Sequence, residues 1–282
     1  MPAIPDEALD CVVYLYPDAE SALNGERAGG CGFIVAVDYQ KPGEAFAYVV
    51  TNSHVIREGN SPVVRVNTRN GGMQVIEKTD EYWIHHPDGD DVAVLSINFE
   101  YETIKVKSIS DEFFATKEKI EYHRVGPGDE VFMPGRFINH EGKQRNLPAV
   151  RFGNISMLPH EPIRTARGLL QEAFLVECRS LPGYSGSPVF LLPAPFSPVS
   201  RVMPPPMLLG IVRGHIKDHR PVLSRESLWK GAKVPVNPDW VVETNTGMAF
   251  VIPAWKIREL LYMEDLVQIR REIEEQLKTG RE

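Results

Sequence analysis

Leu181 to Phe190 reads LPGYSGSPVF, and within it Gly183 and Gly186 bracket Ser185. Glycine accepts a backbone turned to positive φ or pressed close to a neighbour. The pattern therefore predicts a tight turn that pushes the serine hydroxyl outward. On such a turn the amides of Gly183 and Ser185 can point into one hollow, where they could hold a developing oxyanion. The same residues also suit a plain polar turn ahead of the apolar run Val189 to Leu192. A serine hydroxyl is a weak nucleophile near neutral pH, so the chemical reading demands a histidine base and a carboxylate to orient it.

The chain supplies both. The run AFAYVVTNSHVI carries strand formers into Thr51-Asn52-Ser53 and places His54 just past a strand end. HPDGDDVAVL puts Asp91 at the mouth of the apolar run Val92 to Leu95, where burial would limit its freedom and leave it able to accept a bond from an imidazole. Taken singly, His54 suits an ordinary core or surface histidine, and Asp91 a strand-end cap. His85 and His86 are adjacent, so their side chains diverge, and they are not read as zinc ligands; no metal and no cofactor is expected.

The order His, Asp, Ser, with these flanks, resembles the chymotrypsin-like (trypsin-fold) serine peptidases, in a bacterial trypsin-like flavour. TNSHVI resembles the family's histidine motif, DDVAVL its aspartate motif and GYSGSP its serine motif. CGFIVAV, GDEVFMPGRF, FGNISML, LLGIVRGH and GMAFVIPAWKIREL are similar to other strands of the family and to its closing helix. The resemblance implies a mostly β fold of two antiparallel six-stranded β-barrels packed together, with a C-terminal α-helix. Expected boundaries are 1–112 for the barrel carrying His and Asp, 113–253 for the barrel carrying Ser, and 254–282 for the helix and a charged extension.

By the same resemblance His54 is the general base, Asp91 its orienter and Ser185 the nucleophile, with the Gly183 and Ser185 amides as oxyanion hole. A substrate pocket would be lined by Arg179, Arg213, Gly214, His215 and Gly247; the cationic groups among them would favour an acidic side chain before the scissile bond. Arg213 stands where the family usually has a small polar residue. Tyr184 stands where the digestive enzymes carry the aspartate that pairs with a freshly cut N-terminus, so no activating N-terminal cleavage is expected. The implied reaction is hydrolysis of peptide bonds in protein substrates through an acyl-enzyme. The spacing is not the esterase G-x-S-x-G elbow, because Gly186 follows Ser185 directly. The rival reading from another class is a latent or non-catalytic trypsin-fold protein that binds a partner.

The 282 residues are 43% apolar, enough for a sizeable core, and carry a formal net charge of −7, which argues against nucleic acid as partner. No apolar run is long enough to cross a bilayer as a helix. MPAIPDEALDCVVYLY lacks a basic opening followed by an apolar stretch, and Cys11, Cys31 and Cys178 are odd in number; both observations point to a reducing cytoplasm, though a processed secreted form would start the same way. A protein or peptide substrate and a regulatory protein are the partners this implies.

The elements that must position the site read as short strands. Cys11 to Tyr16, Cys31 to Asp38, Ala45 to Thr51, Val63 to Asn67 and Gln74 to Lys78 precede Asp91, with turn residues between them and no helix-period segment. Ser108 to Lys119 has helical composition and suits the inter-barrel connection. Strands then resume from Asp129, including Ala173 to Cys178, Met207 to Val212 and Met248 to Ile252. Pro193 to Pro206 is dense in proline and predicts a stiff excursion beside the nucleophile strand, either a surface insertion or a lid or partner arm. His219 to Asn245 has little regular pattern. Trp255, Ile257, Leu260 and Leu261, then Leu266, Ile269, Ile273 and Leu277, have helix spacing.

Overall fold

Residues 4–38, 45–137, 142–165, 168–178, 183–192, 206–225, 229 and 235–279 are described by a computed structural model. Eight strands form the first sheet: β1 Val12–Tyr16, β2 Gly30–Asp38, β3 Ala45–Thr51, β4 Val63–Asn67, β5 Met73–Ile76, β6 Ile84–His85, β7 Ala93–Ile97 and β8 Ile109–Ser110. Their order is β5-β4-β1-β2-β3-β7-β6, with β8 added parallel to β2. The other half is a closed antiparallel barrel of β9 Glu130–Gly135, β10 Ala149–Met157, β13 Phe174–Cys178, β16 Val241–Pro253, β15 Met207–Pro221 and β14 Pro188–Leu191. Two short strands, β11 Ile163–Arg164 and β12 Leu170–Gln171, pair outside it.

The mostly β architecture with C-terminal helices is the expected one, but only the second half closes by strand pairing. The first half is a rolled sheet whose end strands, β5 and β6, do not pair with each other among the described residues. β5 has four residues, none of them buried, and β6 has two, so neither offers the apolar surface that would hold a closing seam.

Strands β1 and β2 read as unbroken apolar runs because both their faces are covered. Val13, Leu15 and Ile34 enter the interior of the first sheet with Val49, Val64 and Leu95. Tyr14, Tyr16, Phe33 and Val35 face the other way, into a core shared with Phe132, Phe190, Leu208 and Ile252 of the second half. Phe132 and Phe190 stack there with ring centroids 5.0 Å apart. Arg65 is fully buried at one side, donating to the Ala22 and Gly142 carbonyls at 3.0 and 2.8 Å and to Asn146 Oδ1 at 2.8 Å, with its guanidinium 4.8 Å from the Tyr16 ring centroid.

Three expectations need correction. The first half does contain helices, Asp6–Asp10, Ala19–Asn24 and Ser53–Arg57, each too short to display a 3.6-residue period. Ala19–Asn24 is set by its ends: Asp18 accepts from the Ser21 amide at 2.7 Å, and Gly25 closes the helix in the left-handed region. Ser108 to Lys119 is not one helix but β8, a 3-10 turn at Asp111–Phe113 and the start of a helix at Lys117–Tyr122, capped by Thr116. The two ends of His219 to Asn245, residues 219–221 and 241–245, are the outer part of a long β15–β16 hairpin, paired out to Pro221 and Val241. Val241 and Val242 are exposed there, so the core that makes strands alternate is missing.

The chain closes with helices Ala254–Leu261 and Glu264–Thr279. Trp255, Ile257, Leu260, Leu261 and Leu266 are buried, while Ile269, Ile273 and Leu277 stay exposed. Arg270 anchors the second helix to the first sheet, donating from Nη1 to the Tyr48 hydroxyl at 3.0 Å. The proline-dense stretch lies outside the described residues as far as Pro205, as does the hairpin turn Lys41-Pro42-Gly43.

Candidate active site

Strand β3 ends at Thr51, and the helix Ser53–Arg57 begins two residues later, so His54 sits in the first turn beside the start of β7. The two segments are laced together. Asn52 Nδ2 donates to the Asp91 carbonyl at 2.9 Å, and Ser53 Oγ donates to the Val92 carbonyl at 3.0 Å. The His54 amide donates to Asp91 Oδ1 at 2.9 Å, and His54 Nδ1 lies 2.6 Å from Asp91 Oδ2. One carboxylate thus fixes both the backbone and the ring of the histidine, leaving Nε2 as the nitrogen not engaged with Asp91.

Asp91 is largely buried. Burial alone would raise its carboxyl, but the His54 side-chain bond and charge, the His54 amide and the Arg213 guanidinium together outweigh it and hold the carboxyl below the ordinary carboxylate range. Arg213 Nε is 3.1 Å from Asp91 Oδ2. That approach lacks hydrogen-bond geometry, so it is a charge contact and not a directed bond.

Ser185 lies on the expected turn. Gly183 and Gly186 have φ of 100° and 84°, the left-handed region that favours glycine. The turn rests on β2: the Cys31 amide donates to the Ser185 carbonyl at 2.8 Å, and Cys31 Sγ contacts the Gly183 carbonyl at 3.8 Å and accepts from the Arg136 amide at 3.1 Å. Gly186 donates to the Val212 carbonyl at 2.9 Å. Among the described residues neither the Gly183 nor the Ser185 amide has an acceptor. The Ser185 hydroxyl donates to the Arg213 carbonyl at 3.0 Å, with no bond to His54.

The remaining expected site residues divide. Arg179 lies outside the described residues. Gly214 and His215 follow Arg213 on β15 and pair with Phe250 and Ala249, and Gly247 lies at positive φ within β16, so these share one end of the barrel wall. Arg213 itself turns towards Asp91. Tyr184 is buried, its hydroxyl donating to the Ala149 carbonyl at 3.3 Å and its ring 5.0 Å from the Arg151 guanidinium.

The two neighbouring histidines diverge. His85 bridges Ser53 Oγ at 2.8 Å and Asp80 Oδ1 at 3.0 Å, and burial, partly offset by Asp80, makes it harder to protonate than an ordinary histidine. His86 is buried with its nitrogens 3.5 Å from Asp90 Oδ2 and Glu259 Oε2. That trio has the donor types for a metal ion. A cation already stands among them, however: Lys256 Nζ is 3.2 Å from Asp90 and 2.9 Å from Glu259.

Sequence reasoning missed Asn52, Ser53, Cys31 and His85. The polar pair between an apolar strand and His54, and the glycines flanking Cys31, were the available signals.

A family model described as trypsin-like peptidase domain matches residues 30–192, the span that holds all three residues. The chain belongs to the trypsin-like peptidase domain family. Trypsin-like peptidases are serine proteases, and the fold agrees. The structure of Deg5 matches at 17% identity and TM-score 0.50, over 90% of this chain and 88% of that one. The active form of the Rv3671c protease from M. tuberculosis matches at 17% identity and TM-score 0.51, over 90% and 80%. At these identities the likeness is one of fold. No curated protein sequence matches the chain.

Proposed function

We propose that this trypsin-like peptidase hydrolyses peptide bonds in protein substrates with His54, Asp91 and Ser185 as its triad. The observation that carries the reading is the double hold of Asp91 on His54, amide and ring, at 2.9 and 2.6 Å. It fixes the ring nitrogen that carries the proton and frees Nε2 to act as base. In the reactive state the Ser185 hydroxyl leaves the Arg213 carbonyl and donates to His54 Nε2. It then attacks the carbonyl carbon while the Gly183 and Ser185 amides receive the oxyanion. His54 next protonates the leaving amine, and water repeats the sequence on the acyl-enzyme. Tyr184, buried against Arg151, offers no carboxylate for a new N-terminus, which supports activity without an activating cut. A preference for acidic side chains loses one of its supports, because the Arg213 guanidinium is engaged with Asp91.

A latent protein that binds a partner is favoured by one observation, the Ser185 hydroxyl bonded to Arg213 and not to His54. Labelling with a fluorophosphonate decides between the two. Full-length wild type should label, and Ser185→Ala and His54→Ala should not. Absence of label in wild type, or equal label in Ser185→Ala, refutes the peptidase reading.

A further inference from the structure

Arg213 makes two contacts that no local motif announces. Its Nε lies 3.1 Å from the Asp91 oxygen that His54 Nδ1 approaches at 2.6 Å, and its carbonyl accepts the Ser185 hydroxyl at 3.0 Å. One residue of the barrel therefore touches the acid on the first sheet and the serine on the barrel's own turn. Its side chain is mostly shielded, so water screens the contact only in part.

We infer that Arg213 is a positioning residue of the triad: from the second half its guanidinium holds and partly neutralises the Asp91 carboxylate, while its backbone carbonyl holds the resting Ser185 hydroxyl. The catalytic consequence rests on the proposed peptidase reading; the charge contact does not. Because both cations approach one oxygen, the guanidinium and a protonated His54 ring would stand within about 6 Å of each other. A fixed positive charge at that range opposes proton uptake by the ring. Asp91, sharing its charge with Arg213, therefore gives less support to the imidazolium formed in the reaction. Among the described residues, ionisable groups near this carboxylate include Asp90, paired with Lys256, His85, held between Ser53 and Asp80, and Arg57 near His85; substitution at Arg213 leaves them in place.

The test uses full-length wild type, Arg213→Gln and Arg213→Lys. Both variants keep the backbone carbonyl, and the lysine restores the charge. Two quantities are followed against pH: the rate of fluorophosphonate labelling, and the low-field proton resonance of the His54–Asp91 bridge, which needs no activity. In Arg213→Gln the acid limb of labelling and the midpoint of the bridge proton should both move up by about half to one pH unit. Arg213→Lys should return them at least halfway. An unchanged bridge-proton midpoint in Arg213→Gln overturns the inference, whether or not labelling occurs. A midpoint that moves in Arg213→Gln while wild type never labels upholds the charge contact and refutes the peptidase reading instead.

Discussion

Gly186→Ala separates two reasons for glycine at the Ser185 turn. The residue has a φ of +84°, and a Cβ there would stand 1.8 Å from the Cys31 carbonyl oxygen and 2.7 Å from Thr51 Oγ1. Gly71, at φ +88°, has nothing within 4 Å of its Cβ position, so Gly71→Ala carries the conformational cost alone. That cost is about 1–2 kcal/mol. An ordinary carbon–oxygen contact is about 3.2 Å, so in Gly186→Ala the turn must also recede by about 1.4 Å. The Cys31 carbonyl cannot yield easily, because it belongs to β2 and accepts from Thr51 Oγ1 at 2.7 Å. Receding stretches the bonds from Cys31 to Ser185 and from Gly186 to Val212, each of net value about 1 kcal/mol. The total is about 3–4 kcal/mol. With an unfolding entropy of about 0.6 kcal/mol/K for a chain of this length, Tm should fall by about 5–7 °C, against about 2–3 °C for Gly71→Ala. Fluorophosphonate labelling should drop by about 100-fold or more, since a shift of about 1 Å at a reacting group has that effect. Scanning calorimetry and labelling rates on both variants provide the check. Equal melting of the two, with wild-type labelling in Gly186→Ala, would refute the claim that the approach of β2 dictates glycine here.

Two further outcomes follow from buried charge. The Asp91 carboxyl is held low in the folded chain, so its stabilising contribution is present above about pH 4, where an unfolded aspartate ionises, and is lost as pH falls through the native value. The Tm gap between wild type and Asp91→Asn should therefore shrink from pH 5 to pH 2, and a gap that stays constant would sink the assignment. In Arg65→Lys the fork to Asn146, Ala22 and Gly142 cannot be rebuilt by one ammonium, which should lower Tm by about 4–5 °C; a change under about 1 °C would show that the fork matters little.

The turn at Ser185 and the positions of His54 and Asp91 were legible because each is a local matter. Positive φ at Gly183 and Gly186 follows from residue type, and strand runs ending at Thr51 and beginning at Ala93 place His54 and Asp91 at neighbouring strand ends. The closed barrel was legible for the same reason, since β9, β13 and β14 each bury an apolar face. Where burial stops, the pattern stops too. The outer β15–β16 hairpin has no core beneath it, and its pairing leaves no alternation to read. The short helices and the unclosed edge of the first sheet fall below the length at which periodicity says anything.

What no local pattern encodes is the grip of one half on the other, and Asp91 sits at one of its contacts. Asp91 meets Arg213 from β15, and Asp90, one residue earlier, takes Gln171 Nε2 at 2.5 Å and Lys256 Nζ at 3.2 Å from β12 and the first C-terminal helix. Cys31 on β2 carries the serine turn in return. In the sequence Arg213 reads by resemblance as a pocket residue and not as a partner of Asp91, and Lys256 reads only as a lysine on a helix face. Their chemistry arises when the barrel docks, because docking brings charges distant in sequence to two adjacent aspartates. The local motifs therefore set which residues stand at the strand ends, and the interface between the halves sets the field in which they work.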